Sequence, residues 1–179
     1  EEARQIGENA STGEVFIFRQ LPERKFLWLF PKNSRELLLY RNGKLAGKQK
    51  YAPGKEPQVF MAESGLYQKY STTAGKQSIP QYFLYFGHEI PEEHGRGYHH
   101  SLPDIPMDVN HFAEGMKSFL PESSRFSMAI LSTCNNGTSQ SIKQLVPITD
   151  FVVASPQNLH LSHIDTDALA LLENARPPH

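Results

Sequence analysis

The reading of this chain turns on Tyr82-Phe83-Leu84-Tyr85-Phe86-Gly87-His88. Five consecutive strand formers without polar alternation predict a strand covered on both faces, as in a parallel sheet. Gly87-His88 leaves that strand at its carboxyl end, the edge where open α/β sheets place their sites. A second stretch repeats the arrangement: residues 126–131 read as a buried strand and run into Ser132-Thr133-Cys134. Between the two lies a helix with Asp108 as its N-cap and an apolar face of Val109, Phe112, Met116, Phe119 and Leu120. A single crossover helix makes the strands neighbours, about 4.8 Å apart, and delivers an imidazole and a thiol to one rim.

Working outward, residues 15–18, 26–30 and 37–40 read as strands, the second ended by Pro31. Asn42-Gly43 is a two-residue hairpin signal, returning the chain along residues 44–50 as a Lys-rich edge strand. Val59, Phe60, Leu66, Tyr67 and Tyr70 form a helical stripe. Beyond Cys134 come a helix over 139–146, a strand over 151–154 and a terminal helix over 165–173. Residues 1–14 read as a polar N-terminal leader and 15–179 as a single domain. Alternation of this kind specifies an α/β fold: a three-layer α/β/α sandwich with a mostly parallel central sheet and an antiparallel edge hairpin.

Composition narrows the function. Of 179 residues, 39% are hydrophobic and 21% charged, which excludes disorder as the dominant state. A net charge of −1 gives no bulk attraction to nucleic acid or an anionic membrane. No apolar run approaches the ~20 residues of a membrane span. Cys134 is the only cysteine, so an internal disulfide and a cysteine-rich zinc site are both excluded. The chain opens at Glu1 without Met, the mark of a trimmed chain or of a mature one freed of its leader; the expected location is secreted or cell-envelope.

Cys134 and His88 carry the chemistry. A thiol of pKa ~8.5 is mostly protonated at neutral pH, and an imidazole beside it raises the thiolate fraction and later protonates a leaving amine. Backbone N–H groups of Cys134 and Glu89, in the two turns, are placed to form an oxyanion hole. No metal or other cofactor is required.

Three stretches carry a family resemblance: Tyr85-Phe86-Gly87-His88-Glu89-Ile90-Pro91, Ile130-Leu131-Ser132-Thr133-Cys134-Asn135-Asn136-Gly137-Thr138, and Val153-Ala154-Ser155-Pro156-Gln157-Asn158-Leu159-His160. In this order they resemble caspase-fold cysteine peptidases, and within them the clostripain-like peptidases of gut bacteria. The 46 residues from His88 to Cys134 agree with the interval of about 50 in caspases. The resemblance implies a cysteine endopeptidase acting on a peptide or protein substrate. Ser132, Ser155 and Asn158 are then candidate substrate contacts, and the loop 90–106 with the segment 155–163 shapes the groove. Two positions depart from the family. Glu89 stands where many relatives have Gly, and Ser132 stands where members cleaving after Arg or Lys have an acidic residue, so basic specificity is not implied.

Other readings stay open. His94, followed by Gly95, is a rival base. The family fold can also serve as an inactive domain that binds a peptide or partner, an option favoured by the short chain, Glu89 and Ser132. His94, His99 and His100 form a His-rich loop that reads either as solvated or as a metal cluster without zinc-type spacing. His160 and His163 either line the site or pack, and Trp28 reads as core. Asn136-Gly137-Thr138 matches a glycosylation sequon but reads as a tight turn into the following helix. The oligomeric state has no signature in the sequence.

Overall fold

The computed structural model describes residues 2–20, 24–26, 30–32, 35–52, 58–74, 76, 79–95, 105–159, 165 and 167–174. The chain divides into two compact units, Glu1–Lys55 with Asp165–Pro178, and Glu56–Ile164.

The first unit is built on an antiparallel sheet of β1 (Glu14–Gln20), β4 (Arg35–Arg41) and β5 (Lys44–Tyr51), in the order β1-β4-β5. Central β4 is buried from Arg35 to Tyr40, whereas β5 is the exposed, Lys-bearing edge that the sequence predicts. Asn42 and Gly43 turn the hairpin with φ of 50° and 73°, a left-handed pair that Asn-Gly adopts at little cost. Residues 1–14, read as a leader, contain an α-helix, α1 (Glu2–Asn9), whose Ala3 packs with Val15 against Ile17, Leu38 and Tyr40. Its apolar stripe, only Ala3 and Ile6, is too sparse to announce a helix. Gln5 and Asn9 of α1 donate to Asp167 Oδ1 at 2.8 and 3.0 Å. The predicted terminal helix is a 3-10 helix (Ala168–Asn174), begun by Asp165, whose Oδ1 accepts from the Asp167 and Ala168 N–H groups.

Of the apolar run 26–30, read as a strand, Leu27, Trp28 and Leu29 lie outside the described residues. Its two ends belong to the two arms of an antiparallel ladder, β2 (Arg24–Phe26) and β3 (Phe30–Lys32), with Phe26 in register with Phe30. Pro31 lies inside β3, which a two-stranded ribbon tolerates because each strand is an edge.

The second unit holds the parallel sheet. Its elements are α2 (Met61–Tyr70), β6 (Tyr82–Phe86), α3 (Val109–Lys117), β7 (Met128–Ser132), α4 (Ser139–Leu145) and β8 (Val152–Ala154), with strand order β6-β7-β8. The expected two-faced burial belongs to β7, whose Ala129 to Ser132 are all buried, and not to β6, which is half-buried throughout. The reason is position: β7 is central and β6 flanks it. Phe83 and Tyr85 of β6 lean on Phe112 of α3 at ring distances of 6.0 and 5.0 Å, and Phe60, Phe119 and Phe126 extend the cluster. Each such pair contributes about 0.5–1.5 kcal/mol beyond area burial. The predicted α3 face, from Val109 to Leu120, is buried at all five named positions. Asp108 caps α3, accepting from His111 N–H at 3.1 Å and meeting His111 Nδ1 at 2.6 Å. Burial pushes its carboxyl up, but the His111 contacts outweigh that and hold it below the usual range. Among the described residues no helix is long and apolar enough to cross a membrane.

Candidate active site

β6 and β7 run parallel in the register Tyr82 with Met128 through Phe86 with Ser132. The last backbone bond of the pair is Gly87 N–H to Ser132 C=O, at 3.4 Å. His88 and Cys134 follow, each two residues past the last paired position, at the carboxyl ends of adjacent strands. His88 and Glu89 are exposed, and Cys134 is half-buried. Neither the Glu89 nor the Cys134 N–H donates to another described residue.

Beyond this gap the two loops rejoin through side chains. Asn135 Nδ2 donates to Glu89 Oε2 at 2.7 Å and to Asn158 Oδ1 at 3.3 Å. Asn135 has a φ of 53°, a left-handed conformation that Asn tolerates better than most residues. Asn136 is buried, with 1% exposure. Its Oδ1 accepts from Ile90 N–H and Thr133 Oγ1, and its Nδ2 donates to Ile90 C=O, all at 2.8 Å. Both ends of this amide are committed in the fold, so the sequon reading gives way to a structural one. Thr138 caps α4 and donates to Glu92 Oε1 at 2.6 Å. Gly137 N–H donates to Ser155 C=O at 2.7 Å, and an added Cβ there would sit 2.6 Å from Pro156 N. Glycine is therefore required where the Cys134 turn meets the chain leaving β8.

That β8 exit covers one side of the sulfur. Leu159 N–H donates to Cys134 Sγ at 3.4 Å, and Leu159 C=O lies 3.4 Å from the same atom. Of the candidate substrate contacts, Asn158 is exposed and holds Asn135, whereas Ser155 Oγ is spent on a local turn with Gln157. Ser132 is buried with 1% exposure, and its Oγ has no hydrogen-bond partner among the described residues.

His94, the rival base, points into solvent with 94% of its side chain exposed and its nearest carboxylate, Glu93, at 3.8 Å. Its neighbourhood is anchored nonetheless: Gly95 C=O accepts from Met107 N–H and Pro91 C=O from Val109 N–H. Trp28, His99, His100, His160 and His163 lie outside the described residues, as does most of the loop 90–106. Among the described residues no group of three or more His, Cys, Asp or Glu side chains is placed to hold a metal. Sequence reasoning missed Asn136, which it took for part of a turn. The available signal was that Asn136 lies two residues past Cys134 as Ile90 lies two past His88.

No protein family matches the chain, and no curated protein sequence does either. Among solved structures, the chain is similar to a secreted C11 cysteine protease from Bacteroides thetaiotaomicron, "iotapain", with a TM-score of 0.56 at 14% identity. The similarity covers 89% of this chain and 47% of that one, so the chain spans about half the protease's length. What the two share is a fold, the mixed α/β, caspase-like one.

Proposed function

We propose that this chain is a cysteine endopeptidase in which Cys134 is the nucleophile and His88 the general base and acid. The observation that carries the reading is the β6–β7 register, which brings both residues to the same edge of neighbouring parallel strands at matched positions. In the proposed reaction His88 takes the thiol proton, and the Cys134 sulfur attacks the scissile carbonyl carbon, sending the π pair to oxygen. The Glu89 and Cys134 N–H groups, which bond no other described residue, stabilise that oxyanion. Its collapse breaks the C–N bond, the amine leaving with the proton from His88. Water, deprotonated by His88, then hydrolyses the thioester, releasing the acid and restoring the thiol. No cofactor enters. The substrate is a peptide or protein, with no basic side chain assigned before the cleaved bond.

A second reading, an inactive caspase-fold domain that binds a peptide or partner, is favoured by one contact: the Leu159 backbone already engages Cys134 Sγ. A peptidyl acyloxymethyl ketone separates the two. The peptidase reading expects a one-to-one adduct on Cys134 that is lost in His88→Ala, with cleavage of a peptide library abolished in Cys134→Ala. Absence of adduct and of cleavage in the intact protein would sink it.

A further inference from the structure

The main-chain pairing of β6 and β7 joins residues 46 apart, as in Phe86 with Ser132. Every side-chain bond from Asn135, Asn136 or Thr138 to the loop after β6 keeps that separation: Glu89 to Asn135, Ile90 to Asn136, Glu92 to Thr138. The ladder thus resumes in register on the far side of the gap where His88 and Cys134 sit. Of its three rungs, only the one at Asn136 is buried and satisfies two groups of a main chain. Ile90 is itself 1% exposed, so its N–H and C=O need a partner, and the Asn136 amide supplies both halves of a peptide group. Thr133, immediately before Cys134, fixes that amide from the other side by donating to the same Oδ1.

We propose that Asn136 is the positioning residue of this site: its side-chain amide acts as a surrogate strand residue, holding the His88 turn level with Cys134. This rests on the reading of those two as a dyad, and the test is chosen to separate the two ideas. It follows the rate of Cys134 alkylation by iodoacetamide between pH 5 and pH 10, with the melting temperature of each variant alongside. On the dyad reading, His88 as proton acceptor keeps Cys134 reactive at neutral and mildly acid pH. His88→Ala should abolish this. Asn136→Ala should move the profile in the same direction, with alkylation near pH 6.5 falling about tenfold. Peptide cleavage should fall about 10- to 100-fold in kcat with little change in KM, as displaced reacting groups do. A purely structural amide would lower the melting temperature and leave the pH profile in place. Thr133→Val removes only the hydroxyl that orients Asn136 Oδ1 and should give a milder shift, about threefold; it decides the matter should Asn136→Ala not fold. A changed profile in His88→Ala with wild-type profiles in the Asn136 and Thr133 variants overturns the positioning role and leaves the dyad standing. No change in His88→Ala overturns both.

Discussion

Glu36 tests whether the first unit's sheet is held as the structure describes. It lies in central β4 with 1% exposure, opposite Arg19 of β1. Its Oε2 accepts from Arg19 Nε at 2.8 Å, and its Oε1 lies 3.3 Å from Lys48 Nζ of β5. Burial alone would push this carboxyl up, but bonds and attraction from Arg19 and Lys48 outweigh it and hold it below the usual range. Glu36→Gln keeps the shape and removes the charge. Stranding a buried cation costs about 3–5 kcal/mol, yet the Arg19 and Lys48 side chains are 35% and 51% exposed and water can take them up. That screening brings the expected loss to about 1–2 kcal/mol at pH 7. Because the folded carboxyl titrates below the unfolded value of about 4.3, its contribution is complete above that value and is lost as pH falls through the folded one. Urea unfolding of wild type and Glu36→Gln, followed by circular dichroism at pH 7, 5 and 3, should show a constant gap at the first two and a narrower one at the third. A gap of zero at pH 7, or one unchanged at pH 3, would refute the reasoning.

Two further substitutions probe the second unit. Phe112 has no exposed surface and meets Phe60, Phe83 and Tyr85 at ring distances of 5.0–6.0 Å. Phe112→Ala should cost about 3–5 kcal/mol in urea unfolding, and a loss under 1 kcal/mol would mean the cluster is not packed as described. Gly137→Ala sets a Cβ against main-chain atoms of Ser155 and Pro156, which cannot swing aside. It should cost about 1–3 kcal/mol and speed amide exchange at Gly137, whose N–H bonds Ser155 C=O; a neutral alanine would contradict that contact.

Much of the fold was legible because its signals are local. Asn42-Gly43 specified its turn through backbone preference, Asp108 its cap through a short polar side chain, and the α3 face its burial through helical spacing. The Gly87-His88 and Ser132-Thr133-Cys134 exits were legible as strand ends, and the structure sets them on adjacent strands as expected. What escaped depends on partners remote in sequence. Nothing around residues 26–30 announces that Phe26 and Phe30 pair across two strands. Lateral position in the sheet, which buries β7 more fully than β6, has no period. Asn136 bonds a main chain 46 residues away, and only its matched offset from Cys134, equal to that of Ile90 from His88, hints at the bond.

On the proposed peptidase reading, such a rung has a purpose. An N–H can await an oxyanion only if it is withheld from the sheet, so an oxyanion hole at the end of a parallel pair requires the ladder to be interrupted there. The interruption is visible: the Gly87–Ser132 bond is already long at 3.4 Å, and the N–H groups of Glu89 and Cys134 make no bond to other described residues. Left so, the two turns would be free to drift, and a displacement of about 1 Å is enough to cost a reaction about 100-fold. Side chains restore the pairing without consuming those N–H groups, at 2.7 Å from Asn135 to Glu89 and 2.8 Å from Asn136 to Ile90. The exposed Asn135 rung competes with water, whereas the buried Asn136 rung does not, so the tie that matters lies beneath the site and not at its rim.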